Sequence, residues 1–92
     1  MRFLAWTVEV SSKALKFLQK LDKQTAHAIW KALKDIEKLQ DPKDQGKGLK
    51  GNLAGFWRYR VGDYRIVCEL YDNKLLVLVI TIEHRSTVYR KR

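Results

Sequence analysis

The sequence predicts an α+β domain in which a helical hairpin packs on one face of an antiparallel sheet. Three observations carry this prediction: an alternating apolar segment near the N-terminus, two segments of helical apolar spacing, and three β-rich segments separated by turn residues. The expected element order is β-α-α-β-β-β. A chain of 92 residues is long enough to close one core of two layers, so we expect a single domain over residues 1–92.

The N-terminal half predicts one strand followed by two helices. Residues 3–10 alternate as a half-buried strand does. Ser11 or Ser12 can cap the first helix and Asp22 the second, because their side-chain oxygens accept hydrogen bonds from the first free N–H groups of a helix. Pro42 ends the second helix. The apolar residues that set these periods are Leu4, Trp6, Val8 and Val10, then Ala14, Leu15, Leu18 and Leu21, then Ala26, Ile29, Leu33 and Ile36.

The C-terminal half predicts three consecutive strands. Before them, residues 41–55 (DPKDQGKGLKGNLAG) contain four of the five glycines and are expected to form a loop or a weak edge element. Two-residue turns at Gly62-Asp63 and Asp72-Asn73 join the strands into hairpins. The strands are predicted at Phe56–Val61, Tyr64–Tyr71 and Lys74–Ile82.

The segment FWRYRVGDYRI, residues 56–66, places three arginines among aromatic residues. Side chains alternate across a strand, so a Gly62-Asp63 turn sorts this hairpin into two faces. The face that the helices can cover carries Trp57, Tyr59, Val61, Tyr64, Ile66 and Cys68. The opposite face, here called the arginine face, carries Phe56, Arg58, Arg60, Arg65 and Val67. Continuing the same alternation through the next turn assigns to the arginine face Leu76, Leu78, Ile80, Ile82 and His84.

The predicted register sets Arg60 directly opposite Arg65. Like charges in that arrangement destabilise a sheet, and a local conflict of this kind tends to mark a functional site. The alternative is that each arginine pairs with a carboxylate. The nearest carboxylates in sequence are those of Asp63, Glu69 and Glu83.

The composition excludes several classes of protein and favours a polyanionic partner. The chain has 19 Lys and Arg against 10 Asp and Glu, a formal charge of +9, which suggests nucleic acid or an acidic protein as partner. The N-terminus does not read as a signal peptide, and no apolar run is long enough for a membrane span. The single cysteine, Cys68, fits a reducing cytoplasm. His27, His84 and Cys68 lack zinc-ligand spacing, so no metal or other cofactor is expected.

The chemistry available on the arginine face suits a phosphodiester. Arginine stays protonated and cannot act as a base, but it binds phosphate oxygens through paired hydrogen bonds and stabilises charge in a phosphoryl transition state. A proton acceptor is also needed. The candidates are His84, Tyr89, and either Lys47 or Lys50.

The segments LKGNLAGFWRYRVGDYRI and EHRSTVYRKR resemble the RelE branch of the RelE/ParE toxin superfamily over nearly the full chain. The resemblance implies the toxin half of a type II toxin–antitoxin pair. RelE-like members cut mRNA in the ribosomal A site, using the substrate's 2′-hydroxyl as nucleophile and no metal. ParE-like members share the fold and inhibit DNA gyrase instead.

The resemblance also implies a role for individual residues. Arg58 and Arg60 match a basic pair near the scissile phosphate, and Arg65 matches the arginine that stabilises the transition state. Arg85 matches the residue that assists the leaving 5′-oxygen, and Tyr89 the tyrosine that orients or stacks the nucleotide. Lys47 and Lys50 would bind the RNA backbone. The best-known members have lysines where Arg58 and Arg60 stand, which leaves His84 as an alternative acid or base.

The expected partners follow from the same resemblance. They are a cognate antitoxin that is acidic where it meets the toxin, together with the ribosome and mRNA in the cytoplasm. The antitoxin is expected to cover the arginine face, with Leu76, Leu78 and Ile80 as apolar anchors. A gyrase-binding toxin and a plain RNA-binding protein remain as alternatives.

Overall fold

The computed structural model describes residues 6–49, 51 and 55–85 of the chain. Within these ranges the chain forms two helices on a five-stranded sheet, so the predicted α+β class is confirmed. No helix in the described part of the chain is long and apolar enough to cross a membrane. The elements are β1 (Thr7–Val10), α1 (Ser12–Lys20), α2 (Lys23–Glu37), β2 (Lys47–Gly48), β3 (Phe56–Val61), β4 (Tyr64–Tyr71) and β5 (Leu76–His84), with short 3₁₀ turns at Pro42–Asp44 and Asp72–Lys74.

The sheet is mixed rather than wholly antiparallel. Its strand order is β1-β5-β4-β3-β2, and β1 runs parallel to β5 while the other neighbours are antiparallel. Parallel neighbours require a long crossover connection, which the helices and the β2–β4 strands between β1 and β5 supply. The last strand is thereby inserted between the first strand and β4.

Both helices begin where the sequence predicts. The Ser11 hydroxyl oxygen accepts a hydrogen bond from the Ala14 N–H at 3.1 Å, and an Asp22 carboxylate oxygen accepts one from the Thr25 N–H at 3.1 Å. Hydrogen bonds from Thr25 to the charged carboxylate, first from its side chain and then from its backbone N–H, lower the pKa of Asp22. The Ser11 cap starts α1 directly after β1, and the Asp22 cap starts α2 within the short connection between the two helices.

The core lies between the helical hairpin and one face of the sheet. Apolar residues of both helices meet the side chains predicted for the covered face, and the Tyr59 hydroxyl donates a hydrogen bond to the Pro42 carbonyl at 2.8 Å. Burying these groups supplies the main stabilisation of the fold. The buried members of the core are Ala14, Leu18, Ile29, Leu33, Ile36, Tyr59, Ile66, Cys68, Val77, Val79 and Ile82.

The β3–β4 hairpin has the predicted turn and register. Val61 pairs with Tyr64, Arg60 with Arg65, and Arg58 with Val67. Gly62, the first turn residue, has φ +58°, which suits the glycine-first turn of a two-residue hairpin. The arginines therefore share the face opposite the helices.

The predicted alternation fails in the second half of β5. Val67 pairs with Thr81 but the next residue, Cys68, pairs with Val79, so Ile80 is a bulged residue with no partner. A bulge shifts all later residues to the other face. Ile82 and His84 therefore lie on the helix side, opposite Ile66 and Tyr64, and the prediction that they share the arginine face is wrong.

The β4–β5 connection is longer than predicted. It comprises four residues, a 3₁₀ turn at Asp72–Lys74 followed by Leu75 in the left-handed region with φ 50°, rather than the two-residue turn Asp72-Asn73. Tyr71 consequently pairs with Leu76. The change adds an even number of residues, so Leu76 and Leu78 keep their predicted place on the arginine face.

Ser11 links the first helix to the bulge, and its replacement is a test of that link. Its hydroxyl donates to the Ile80 carbonyl at 2.7 Å while accepting from Ala14. Ser11→Ala removes both bonds, and we expect it to lower the free energy of unfolding by about 2 kcal/mol. Urea denaturation measures this change.

The adjacent Ser12 provides the matched control. Its side chain is exposed and has no hydrogen bond within the described residues. Ser12→Ala should change stability by less than about 0.5 kcal/mol. Equal effects of the two substitutions would contradict the role given to Ser11.

Candidate functional site

Four arginines converge at the end of the sheet where the β3–β4 turn lies. Arg58 and Arg60 come from β3, Arg65 from β4, and Arg85 directly follows β5. They are called here the arginine cluster. All four line one small cleft of about 20 Å³, which is completed by Gly62, Asp63 and Tyr64. The prediction that Arg58, Arg60 and Arg65 share one face is confirmed, and the structure adds Arg85 to them.

Arg65 is partly neutralised by the residue that faces it across β4 and β5. Its guanidinium lies 3.8 Å from a Glu83 carboxylate oxygen, and its side chain is 25% exposed. Glu83 reaches the arginine face because the bulge at Ile80 reverses the alternation. This ion pair offsets part of the repulsion between Arg65 and the directly opposed Arg60.

Arg85 is bound to the turn between β3 and β4. Its backbone N–H donates to the Asp63 carbonyl at 2.7 Å, and its guanidinium lies 3.7 Å from an Asp63 carboxylate oxygen. The side chains are 55% and 62% exposed, so the ion pair orients Arg85 more than it stabilises the fold.

Arg58 and Arg60 have no such partner among the described residues. All ten Asp and Glu side chains lie in the described ranges, and none is within 4.0 Å of either guanidinium. The Nε atoms of Arg58 and Arg65 are also buried without a hydrogen-bond partner there. The alternative that every arginine is neutralised by its own acid holds for Arg65 and Arg85 and fails for Arg58 and Arg60. Unpaired donors next to one another form a site for an anion.

A larger groove adjoins the cleft on the edge of β3. It has a volume of about 430 Å³ and is lined by α2, the Gln45–Lys47 segment and β3 residues that include Arg58 and Arg60. Lys47 pairs with Arg58 in the short β2–β3 ladder, so this predicted RNA-binding residue lies beside the cluster. Lys50 and Tyr89, the other predicted site residues of the loop and tail, lie outside the described residues.

His84 does not lie with the cluster. Its ring contacts the Tyr64 ring edge-on, with centroids 5.0 Å apart, and Tyr64 in turn contacts Phe17 of α1. The bulge at Ile80 explains why the prediction for His84 is wrong, because it moves the later residues of β5 to the other face of the sheet. The position of His84 counts against its acting as acid or base on a substrate held by the arginines.

The described residues contain no group of three or more His, Cys, Asp or Glu side chains that could hold a metal ion. What the sequence interpretation missed is the presence of Glu83 on the arginine face and the double contact of Asp63 with Arg85. The apolar run LLVLVITI gives no signal for the bulge, because its residues are apolar on both faces.

Cys68 is buried in the core, and burial raises its pKa to about 12. Only the thiolate reacts with alkylating reagents, so we expect the folded protein to resist iodoacetamide at neutral pH and the urea-unfolded chain to react fully. Rapid alkylation of the folded protein would contradict the burial of this thiol. Mass spectrometry of both samples checks the prediction.

The same raised pKa predicts a stability that falls at alkaline pH. The unfolded thiol loses its proton near its ordinary pKa of about 8.5, whereas the folded thiol keeps its proton, so the free energy of unfolding decreases as the pH rises above that value. Burial also raises the pKa of Tyr59, which adds to the decrease above about pH 10. Urea denaturation between about pH 8.5 and about pH 10 should show that the free energy of unfolding falls as the pH rises. In Cys68→Ala this fall should be absent.

The fold is that of a small toxin of the RelE/ParE superfamily. A family model described as "ParE toxin of type II toxin-antitoxin system, parDE" matches residues 8–89. The chain therefore belongs to this family of type II toxin–antitoxin toxins.

Individual relatives come from Mycobacterium tuberculosis. Toxin RelG is 29% identical over 96% of this chain and 100% of its own length. Toxin RelE is 34% identical over 90% of this chain and 84% of its own length. Among solved structures, the toxin–antitoxin complex RelBE2 contains a chain that matches with a TM-score of 0.79 and 28% identity, over 92% of this chain and 97% of that one.

Proposed function

We propose that this toxin is a ribosome-dependent endoribonuclease that cuts mRNA in the A site and so arrests translation. One observation carries the proposal: four arginines line a single cleft, and two of them have no carboxylate partner among the described residues. A sheet gains no stability from such a cluster, whereas a phosphodiester supplies the missing negative charge. The names of the relatives, toxins RelG and RelE, support the same activity.

The reaction is an attack of the mRNA's own 2′-hydroxyl on the adjacent phosphorus, without a metal ion. The 2′-hydroxyl gives its proton to a base, and the P–O5′ bond breaks as the P–O2′ bond forms. The leaving 5′-oxygen takes a proton from water, which yields a 2′,3′-cyclic phosphate and a 5′-hydroxyl. Arg58 and Arg60 hold the scissile phosphate through the donors that no carboxylate occupies. Arg65 stabilises the charge that develops on the phosphoryl oxygens. Arg85 assists the leaving 5′-oxygen, and Tyr89 orients the nucleotide.

The rate of this reaction depends strongly on how the mRNA is positioned, because the arginine cluster itself provides no base. Arginine does not release its proton at neutral pH, and His84 lies on the helix side of the sheet. Lys47, Lys50 and Tyr89 remain as proton acceptors for the 2′-hydroxyl. A well-oriented intramolecular nucleophile gains several orders of magnitude in rate, so we infer that the ribosome is needed to hold the mRNA in that geometry.

The charge of the protein brings it to the ribosome in the cytoplasm. A formal charge of +9 gives affinity for rRNA that weakens steeply with salt and carries no sequence information. The antitoxin competes with RNA for the same surface. We propose that it presents carboxylates to the arginine cluster and apolar side chains to Leu76, Leu78 and Ile80 of β5. The RelBE2 complex, in which such a toxin is bound to its antitoxin, supports a partner of this kind.

Primer extension on translated mRNA tests the proposal. A purified translation system with the toxin should give cuts within codons at the A site, and the same mRNA without ribosomes should stay intact. Cuts that are equally frequent on free RNA would contradict the ribosome requirement, and the absence of any cut would contradict the nuclease assignment.

Inhibition of DNA gyrase is the second candidate function, because the matching family model is that of the ParE toxin of parDE systems. A supercoiling assay separates the two. Inhibition of supercoiling together with intact mRNA would favour gyrase as the target. Growth that continues when the toxin is expressed without an antitoxin would leave only a plain RNA-binding protein.

A further inference from the structure

Asp63 is an acidic residue in a cleft that otherwise attracts anions. It is the only carboxylate among the described residues that line this cleft, where the four arginines meet. A carboxylate at that position repels a phosphodiester, so it lowers the affinity for RNA. A site that had only to bind RNA would be better without it, and its presence calls for another role.

Within residues 6–49, 51 and 55–85, the hydrogen bond and the ion pair of Asp63 are both made with Arg85. The ladder between β4 and β5 ends at the pair Tyr64 and His84, so Arg85 is the first residue beyond the paired strands. Its backbone N–H donates to the Asp63 carbonyl at 2.7 Å and its guanidinium lies 3.7 Å from the Asp63 carboxylate. The backbone carbonyl of Asp63 thus fixes the path of the chain after β5. The carboxylate of the same residue sets the direction of the Arg85 side chain.

The turn that presents Asp63 is itself well defined. Gly62 has φ +58°, and Val61 pairs with Tyr64 on either side of the turn. Asp63 therefore has a fixed place relative to Arg58 and Arg60 on the neighbouring strand. Because Arg85 is bound to this turn, its position relative to the other three arginines of the cluster is also defined.

We propose that Asp63 is a positioning residue that acts through Arg85, aiming its guanidinium at the leaving 5′-oxygen. The proposal rests on the proposed nuclease function for its effect on rate, and on the structure alone for its effect on the order of Arg85. Asp63 forms no bond to the substrate and takes no proton. The Asp63 carboxylate weakens the binding of RNA, but it orients the Arg85 guanidinium.

A double-mutant cycle on programmed ribosomes tests the effect on rate. Asp63→Asn keeps the backbone carbonyl contact and the size of the side chain but removes the charge. We expect it to lower the single-turnover cleavage rate about tenfold while tightening binding to ribosomes. Arg85→Ala should lower the rate further, and Asp63→Asn should have no additional effect in that background, because the residue through which it acts is gone.

The matched control is Asp72→Asn in the other hairpin connection. Asp72 is exposed and lies 3.9 Å from the Lys43 ammonium, so its loss changes the net charge equally. It should leave the cleavage rate within about twofold of the wild type. Thermal melts that agree to within a few degrees establish that all variants are folded.

A second measurement does not depend on nuclease activity. The heteronuclear NOE of the Arg85 side-chain Nε–H group in the free protein reports how well that side chain is ordered. We expect the NOE to fall in Asp63→Asn and to stay unchanged in Asp72→Asn. If the wild type cuts no RNA, the proposed function fails while the NOE still decides whether Asp63 positions Arg85.

Three results would overturn the inference. The first is a rate loss from Asp63→Asn that persists in full in the Arg85→Ala background, since Asp63 would then act on something else. The second is an Arg85 NOE that is the same in Asp63→Asn as in the wild type. The third is a wild-type cleavage rate in Asp63→Asn, with normal cleavage by the parent.

Discussion

Replacing Arg65 with alanine is expected to lower the rate of mRNA cleavage in the A site by about 10²–10³-fold. The Arg65 side chain is more enclosed than that of Arg85, with 25% of its surface exposed against 55%. Its Nε atom is buried without a partner in the described part of the chain, and only one edge of its guanidinium is needed for Glu83. The remaining donors are available to the charge that forms in the transition state.

Replacing Arg65 with lysine separates the effect of the planar guanidinium from the effect of its charge. Arg65→Lys keeps the positive charge but loses the planar fork that binds two oxygens at once, so it should recover only a small part of the rate. Lys74→Ala, which removes one charge from the exposed β4–β5 connection, is the control for net charge and should cleave normally. Undiminished cutting by Arg65→Ala, measured by single-turnover primer extension, would show that Arg65 does not have the assigned role.

Replacing Gly46 with alanine is expected to lower the free energy of unfolding by about 2–5 kcal/mol. Gly46 has φ +79°, a conformation that favours glycine. A Cβ atom here would overlap the Arg58 carbonyl oxygen and lie 2.7 Å from Trp57 Nε1. Trp57 Nε1 already donates to the Gln45 carbonyl at 2.7 Å, so the loop has little room to move away.

Gly51 is the matched control for the conformational part of this effect. It has φ +68°, but a Cβ atom there would meet none of the described residues within 4 Å. Gly51→Ala should therefore cost only the strain of the left-handed region, about 1–2 kcal/mol. Urea denaturation measures both variants. Equal losses would mean that the close approach of Gly46 to β3 does not matter.

Gly46→Ala should also impair the candidate functional site. A displaced Gln45–Lys47 segment moves Lys47 away from Arg58, its partner in the β2–β3 ladder. We therefore expect Gly46→Ala to cleave more slowly than Gly51→Ala at a temperature where both are folded.

The parts of the site that the sequence predicts are those set by local turn chemistry. A glycine-first turn of two residues permits one register, and that register places Arg58, Arg60 and Arg65 on one face. The caps at Ser11 and Asp22 are local in the same way. These features needed no knowledge of distant parts of the chain.

The parts that the sequence does not predict depend on distant contacts. The bulge at Ile80 lies within a run of apolar residues, and its carbonyl is bound by Ser11, 69 residues earlier. No local alternation marks the bulge, so the sequence pattern predicts the wrong face for His84 and does not place Glu83 beside Arg65. The parallel pairing of β1 with β5 is likewise a choice between distant partners.

We propose that the arginine cluster binds a phosphodiester whose own 2′-hydroxyl attacks the phosphorus. The most direct test is single-turnover cleavage of an mRNA that carries one 2′-deoxynucleotide at the cut position in the A site, alongside the unmodified mRNA. We expect the unmodified mRNA to be cut to a 2′,3′-cyclic phosphate and the modified position to stay intact. Cleavage of the modified position at the unmodified rate would contradict this proposal.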